Sequence, residues 1–207
     1  IVAVLNAARP HHPRSVSELQ HDWLHLEPDL KPSFQVVELA GQIVGVTEWQ
    51  RNAGAYHPQH CSLELCVHPD ARERGIGRLL WGAVEQQLHS LEMLRVTVQV
   101  DEDHARGLRF ANANDFYEIK RDFESRLDVQ TFDPSPFGRL EAELRERGVT
   151  LESWQRLDSS AFRQELHEVF SVARLDVPRS APATPISYEF FEQNILNDAE
   201  FLWDASF

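Results

Sequence analysis

The chain has 207 residues, of which 42% are hydrophobic, so it can bury one full core and part of a second. Its formal net charge of −13 argues against a nucleic-acid partner, because nucleic-acid binding needs a basic surface. The sequence contains no apolar run of about 18 residues, so we expect no membrane-spanning segment.

Two cysteines, Cys61 and Cys66, lie on or near one predicted strand. Because a strand rises about 3.3 Å per residue, they are too far apart for an easy disulfide. Free thiols are typical of a reducing compartment, so we expect a cytoplasmic protein.

The first predicted elements are two short helices. Residues 1–8 have a helical pattern that ends before Pro10, and Ser15 or Ser17 can cap a second helix that continues to about Leu26. The chain begins inside the first pattern without an initiator methionine, and it ends in a strand-like run without a turn. We therefore expect a fragment of a longer protein.

Three predicted strands and a long helix follow. Residues 34–39 and 43–49 alternate around a tight turn at Ala40-Gly41-Gln42, which predicts a hairpin, and residues 62–67 form the third strand. An amphipathic helix is predicted from Gly75 to about Leu91. Its expected buried face consists of Ile76, Leu79, Leu80, Ala83, Val84 and Leu88.

The pattern then predicts a strand over residues 95–100, a short helix over 104–112 and paired strands over 116–128. The strand–helix–strand unit between residues 62 and 100 implies a right-handed crossover, with two parallel strands.

The turn before the long helix carries the strongest functional signal. From Val67 to Leu80 the sequence is Val-His-Pro-Asp-Ala-Arg-Glu-Arg-Gly-Ile-Gly-Arg-Leu-Leu. A helix N-terminus presents free N–H groups and favours negative charge. Gly75 and Gly77 let a ligand approach the backbone, and three arginines add positive charge. The turn is therefore predicted to bind an anion, most simply a phosphate.

Two common phosphate-binding patterns do not fit, because a Walker loop ends in Gly-Lys-Ser/Thr and a dinucleotide turn needs a third glycine. The order Arg72-x-x-Gly75-x-Gly77, after Val67-x-Pro69, resembles the acetyl-CoA loop of the GNAT superfamily of N-acetyltransferases. The resemblance implies an α/β GNAT fold, with a mixed central sheet flanked by helices. It also implies acetyl-CoA as co-substrate, with its pyrophosphate on the backbone amides of the loop.

In this family the pantetheine arm enters a gap between two strands that splay apart, and it pairs with the strand before the loop. Position by position, the resemblance implies that the coenzyme contacts Leu65, Cys66, Val67, Arg72, Glu73, Arg74, Gly75, Ile76, Gly77, Arg78 and His104. His104 stands where the family usually has Asn.

Acetyl transfer needs a base that takes a proton from the acceptor ammonium group. Glu64 lies on the strand before the loop and is the first candidate, followed by Glu48 and then His68. The family's usual carboxylate position is occupied here by Cys61, so a solvated strand glutamate is the alternative reading of Glu64.

The family's usual acid is a Tyr on the helix after the fifth strand, and Ala111 occupies that position here. Tyr117 is near in sequence and is the remaining candidate. Since a thiolate can also leave unassisted, the loss does not exclude catalysis. It does raise an alternative function, a non-catalytic CoA-binding or regulatory domain.

Three segments are predicted: a GNAT domain without its first strand (residues 1–130), a linking helix (131–148) and the beginning of a second GNAT-like domain (149–207). The second domain would begin with a strand at 149–157, continue with two helices and resume as a strand at 201–207. A C-terminal helical extension is the alternative.

The predicted function is acetyl-CoA-dependent transfer of an acyl group to a primary amine of a small molecule or peptide. We expect no nucleic-acid partner, no membrane partner and no metal, since the spacing of the histidines and cysteines fits no zinc module. An interaction module that has kept the fold and lost the ligand is a rival. The oligomeric state stays open.

Overall fold

The computed structural model describes residues 1–178, 182–198 and 201–207. The elements of the first half are α1 (Val2–Ala8), α2 (Val16–His25), β1 (Ser33–Leu39), β2 (Gln42–Gln50), β3 (His60–Val67), α3 (Ile76–Ser90), β4 (Arg95–Thr97) and α4 (Ala105–Ala113). The later elements are α5 (Leu140–Glu146), α6 (Trp154–Leu157), α7 (Ser160–Ala173), α8 (Tyr188–Phe191) and a π-helical turn (Glu192–Leu196).

Local signals decide where several elements begin. The hydroxyl of Ser15 accepts the Glu18 N–H at 3.1 Å, and the Glu18 carboxylate accepts the Ser15 N–H, so a capping box starts α2. Ala40 and Gly41 both have positive φ, 51° and 79°, which gives the two-residue turn that suits a hairpin. The first of the two predicted caps and the predicted hairpin are confirmed.

The four strands form one mixed sheet in the order β1-β2-β3-β4, with the first two pairings antiparallel and the last parallel. The β3–β4 ladder has only three residue pairs and ends at Ser62 opposite Thr97. The strand predicted over 95–100 is thus shorter than expected. Beyond Ser62, β3 continues to Val67, so a gap opens beside its second half.

Helix α3 covers one face of the sheet and α1 covers the other. The buried stripe of α3 is Ile76, Leu80, Val84 and Leu88, spaced four residues apart. Leu79, which is 62% exposed, and Ala83, also exposed, were predicted in this face, and that prediction is wrong. They lie one residue before members of the stripe, and a helix turns about 100° per residue, so they point away from the sheet.

Beyond α4, the structure departs from the predicted strands. Residues 116–128 form no regular secondary structure, and Tyr117, Ile119, Phe123 and Leu127 are exposed. A strand needs a neighbouring ladder to satisfy its peptide groups, and β4 already ends at Thr97. The prediction of paired strands here is therefore wrong.

The predicted strands at 149–157 and 201–207 are also wrong. Residues 154–157 form α6, and residues 203–205 form a turn. The two segments do lie together, because the N–H of Trp154 donates to the carbonyl of Ser206 at 2.9 Å and that of Gln155 to Trp203 at 3.1 Å. Two such bonds join the segments but make no ladder.

The predicted linking helix over 131–148 is reduced to α5, with a 3-10 turn at Ser135–Phe137 before it. The cap predicted at Ser187 is confirmed, because its hydroxyl accepts the Phe190 N–H at 3.1 Å. Residues 179–181 and 199–200 of the predicted second domain lie outside the described residues.

In the described ranges, the C-terminal half contacts the first half at the loop around Gly54 and at α2. Thr184 accepts the Tyr56 N–H at 3.1 Å and donates its hydroxyl to the Ala53 carbonyl at 2.7 Å, while Arg174 donates to the Gly54 carbonyl at 2.9 Å. On α2, His21 Nε2 lies 3.0 Å from the Gln193 carbonyl oxygen. Among the helices in the described ranges, none has the length and apolarity needed to cross a membrane.

Candidate active site

The turn between β3 and α3 has an unusual backbone. After a 3-10 turn at Pro69–Ala71, Glu73 and Gly75 both adopt positive φ, 65° and 78°. Gly75 is the N-cap of α3 and carries no side chain that could cap the helix. Two left-handed residues separated by Arg74 turn the peptide N–H groups of the loop outward.

Six consecutive N–H groups in this turn, from Glu73 to Arg78, are free. Within the described part of the chain, the first helical bond after Gly75 is Leu79 N–H to the Gly75 carbonyl at 3.0 Å, and no acceptor is in range of the six. Together with the positive end of the α3 dipole, they form an anion cradle.

Charged side chains frame this cradle. Arg72 Nε donates to the Val67 carbonyl at 3.3 Å, which holds the start of the turn against the end of β3. Arg74 and Arg78 are exposed, and Glu73 pairs with Arg106 of α4 at 2.8 Å. Most of the positive charge predicted for the turn is thus available to a ligand at the surface.

The strand beside the gap presents its peptide groups alternately to its two neighbours. The His68 N–H donates to the Val44 carbonyl at 2.8 Å, so the peptide groups of Cys66 and Glu64 also face β2. Those of Leu65 and Leu63 face the opposite way, and the Cys61 carbonyl on that side accepts the Thr97 hydroxyl at 3.2 Å. Leu65 therefore presents its N–H and C=O to the gap.

The three residues predicted to pair with a coenzyme arm are therefore not equivalent. Leu65 and Val67 both face the gap beyond the ladder with β4, and in the described part of the chain only Leu65 has both its N–H and its C=O without a partner. The Val67 carbonyl is occupied by Arg72, and the Cys66 peptide group belongs to the β2 ladder.

Helix α4 lies close to this turn. A Cβ added at Gly77 would lie 3.5 Å from Cε2 of Phe110 and 3.9 Å from Cδ2 of Leu65, which is ordinary contact. His104 is the exposed N-cap of α4 and packs near Gly107, where an added Cβ would meet its Nδ1 at 2.7 Å. His104 thus lies at the helix start, nearly two turns from Phe110.

The candidate bases are neighbours across two strands. Glu48 on β2 is the register partner of Glu64 on β3. Arg9, just after α1, pairs with Glu64 at 2.9 Å, and Arg14 pairs with Glu48 at 2.8 Å. The side chain of Glu64 is a quarter exposed and can be reached from outside, whereas Glu48 is buried and only 6% exposed.

Burial raises the pKa of Glu48 above its ordinary value, although Arg14 opposes the shift. Arg14 also contacts Asp22 of α2 at 3.0 Å, and its own backbone N–H donates to Asn6 Oδ1 at 2.8 Å. Both glutamates are therefore part of a network that joins α1, α2 and the sheet.

The two thiols are free and buried, and the pKa of each is raised. Cys66 donates to Glu64 Oε1 at 3.5 Å, and burial first, then the Glu64 carboxylate, raises its pKa to about 12. Burial raises the pKa of Cys61 to about 11. Cys61, at the family's usual carboxylate position, packs against α3, on the face opposite the glutamates.

The candidate acid is far more exposed than the candidate bases. Tyr117 is 81% exposed, and in the described part of the chain its hydroxyl bonds neither Glu64 nor Glu48. Ala111, at the usual position of the phenol, brings no polar group. His68 caps the 3-10 turn, with its Nδ1 3.4 Å from the Asp70 nitrogen, and is not joined to the glutamates.

Sequence reasoning missed Arg9 and Arg14. They lie in the connection between α1 and α2, far along the chain from the glutamates they hold. The sequence signal was two arginines in the connection between the first two helices. No group of three His, Cys, Asp or Glu side chains in the described ranges is placed to hold a metal ion.

The chain thus has an α/β fold with one mixed sheet. The turn that carries the six free N–H groups lies beside the gap between β3 and β4. A family model described as the acetyltransferase (GNAT) family matches residues 3–116. That range is more than half of the chain, so the chain belongs to the GNAT family.

A search of curated proteins gives no match. Similar solved structures include an aminoglycoside acetyltransferase, meta-AAC0020, from an uncultured soil metagenomic sample, in complex with trehalose. It is 19% identical with a TM-score of 0.49, over 61% of this chain and 86% of that one. The aminoglycoside N-acetyltransferase AAC(6')-Iy in complex with CoA is 18% identical, with a TM-score of 0.47 and the same coverage.

A mutant of the BH1408 protein from Bacillus halodurans is 18% identical with a TM-score of 0.45, over 55% of this chain and 74% of that one. Identities below 25% and TM-scores below 0.5 transfer no ligand from these proteins to this chain. Family membership rests on the matched residues 3–116.

Proposed function

We propose that the chain is an acetyl-CoA-dependent N-acetyltransferase that acts on a primary amine of a small molecule or peptide. The observation that carries the proposal is the run of six free N–H groups from Glu73 to Arg78, beside a gap that exposes the Leu65 peptide group. Membership in the GNAT family supports the choice of coenzyme.

The residues present fit that coenzyme. Acetyl-CoA would supply an acetyl group activated as a thioester. The N–H groups and the exposed arginines of the turn would hold its pyrophosphate, since an anion there meets donors already aligned with the helix dipole. The Leu65 N–H and C=O would pair with the amide groups of the pantetheine arm.

In this proposal Glu64 is the general base. Its side chain is partly exposed, so an acceptor can reach it, whereas Glu48 is closed off by Arg14. Glu64 takes a proton from the acceptor ammonium group, and the neutral amine then forms the C–N bond as the C–S bond breaks. As the C–S bond breaks, the nitrogen gives up its second proton, which passes through water to the leaving thiolate, because neither Ala111 nor Tyr117 supplies an acid at this place.

The test is release of the CoA thiol in the presence of acetyl-CoA and a panel of primary amines. We expect release that depends on the amine, and Glu64→Gln should lower kcat by about 10²-fold or more. Glu85→Gln, an exposed glutamate on α3, is the matched control. Equal rates for the two variants would remove Glu64 from the mechanism.

A second candidate function is a CoA-binding domain without transferase activity. The missing phenol at Ala111 and the exposure of Tyr117 favour it. Binding of acetyl-CoA with no thiol release for any amine would support this candidate over the enzyme.

The domain arrangement is likewise a proposal. Residues 1–130 hold the coenzyme, residues 131–148 link, and residues 149–207 begin a second GNAT-like domain. Helices α7 and α8 support it, because the first half likewise has two helices, α1 and α2, before its hairpin.

A further inference from the structure

A groove of about 640 Å³ lies at the end of α3 remote from the anion cradle. The cradle is at the N-terminus of α3, whereas Gln87 and Leu91 line the groove at its C-terminal end. Trp23 of α2, Trp49 of β2 and the segment before β1 form its other walls. The volume lies within the range of about 300–1,000 Å³ that small-ligand sites occupy.

The walls of this groove offer aromatic surface. Trp49 is buried beneath it, and Trp23 is 49% exposed beside it. The Lys31 ammonium nitrogen lies 5.7 Å from the centre of the Trp23 ring. A half-exposed indole offers flat apolar surface to an aromatic ring, and the cation over it brings positive charge to the same place.

A polar group is held in a fixed orientation in the same groove. Trp49 Nε1 donates to Gln87 Oε1 at 3.3 Å, and Gln35 Nε2 donates to the same oxygen at 2.7 Å. Because an indole nitrogen can only donate, the carbonyl of Gln87 must face it. The Gln87 amide nitrogen keeps its two N–H donors, which find no acceptor among the residues described.

The charge of the groove is opposite to that of the chain. Lys31 and Arg51 line it with one carboxylate, Asp29, whereas the chain as a whole carries −13. Arg51 donates to two backbone carbonyls, those of Pro58 at 2.8 Å and Asp29 at 3.3 Å. In the described ranges neither cation is paired with a carboxylate, so both charges remain available to an anion.

We propose that this groove binds a small planar aromatic carboxylate. Its ring would lie against Trp23 and Trp49, and its carboxylate would face Lys31, Arg51 and the free N–H donors of Gln87. The ligand class follows from flat apolar walls combined with a local excess of positive charge. The proposal does not depend on acetyl transfer, because the groove and the cradle lie at opposite ends of α3.

The test is a calorimetric titration of the chain with 2-naphthoate, repeated with 2-naphthylmethylammonium. The two probes share the ring system and carry opposite charges. We expect saturable binding of 2-naphthoate that weakens as salt is added, and markedly weaker binding of the cation. No saturable binding of 2-naphthoate, or equal binding of the two probes, would overturn the proposal.

Two variants locate the site. Lys31→Gln should weaken 2-naphthoate binding about threefold, whereas Lys120→Gln, at the other lysine of the chain, should leave it unchanged. Trp23→Ala should weaken it about tenfold while acetyl-CoA binding and the circular dichroism spectrum stay as in the native chain. An equal effect of both lysine variants would overturn the proposal and assign binding to a general charge effect.

Discussion

Arg14 is the residue on which the glutamate network depends. Its guanidinium joins buried Glu48 to Asp22, and its backbone bonds Asn6 in both directions, at 2.8 and 2.9 Å. An isolated carboxylate as buried as Glu48 would be strongly destabilising, so the ion pair is what lets it stay in the sheet. One arginine thereby connects two helices to the strand next to β3.

The buried carboxylate makes a specific pH prediction. The folded-state pKa of Glu48 is raised above its ordinary value of 4.5, so its contribution to stability is present below pH 4.5 and is lost as pH rises through the raised pKa. Glu48→Gln has no carboxyl group that can ionise, so the variant does not lose this contribution as pH rises. The free energy of unfolding of this variant, relative to the native chain, should therefore rise as pH increases from below 4.5 toward neutrality.

Urea denaturation at a series of pH values measures this difference. Each unit of pKa shift corresponds to about 1.4 kcal/mol over the full range. Glu85→Gln, at an exposed glutamate of α3, is the control. A flat or falling difference for Glu48→Gln would contradict the burial argument.

At the scale of an element, α3 is the part on which both proposed sites depend. Its first turn presents the anion cradle, its last turns line the groove, and its buried stripe attaches it to the sheet. Gly45 of β2 makes the approach close, since an added Cβ there would lie 2.8 Å from Cγ2 of Ile76 and 2.9 Å from Cδ1 of Leu80.

Adjacent leucines on α3 should differ sharply in their effect on stability. Leu80 is fully buried and Leu79 is mostly exposed. We expect Leu80→Ala to lower the free energy of unfolding by about 2–5 kcal/mol and Leu79→Ala by less than about 1 kcal/mol. Denaturant titration of both variants tests the pair, and similar losses would show that the face of α3 is assigned wrongly.

Elements with a local cause could be predicted from the sequence. The box at Ser15 and Glu18, the turn at Ala40 and Gly41, and the glycine that starts α3 each act within a few residues. The segment over 116–128 could not, because its alternation is real but a strand exists only where a partner strand lies alongside. The residue pattern of a segment indicates which secondary structure it favours, but it does not determine whether another strand lies alongside.

At the scale of the whole molecule, the two halves are joined through the loop around Gly54. Thr184 and Arg174 bond three residues of that loop, and Arg174 is itself buried. Contacts of this kind, like those of Arg9 with Glu64 and Arg14 with Glu48, join residues far apart in the chain. No periodicity in the sequence encodes them, which is why the turn before α3 was predicted and the glutamate network was not.

Thr184→Val should loosen this junction. The variant loses one donated and one accepted hydrogen bond, which should cost about 1–3 kcal/mol, and the Tyr56 amide should exchange its hydrogen faster. Thr150→Val, at an exposed threonine, is the control. Equal protection of Tyr56 in both variants would mean that the observed contact does not hold the halves together.

Calorimetric titration with acetyl-CoA tests the central claim, that the bare peptide nitrogens of the turn hold the coenzyme. We predict sub-millimolar binding by the native chain and binding about tenfold weaker for Gly75→Val, because valine is strained at φ 78° and would disturb the cradle. Gly82→Val, where an added Cβ meets nothing within 4 Å, should bind as the native chain does. No heat of binding by the native chain, or an equal loss in both variants, would contradict the account.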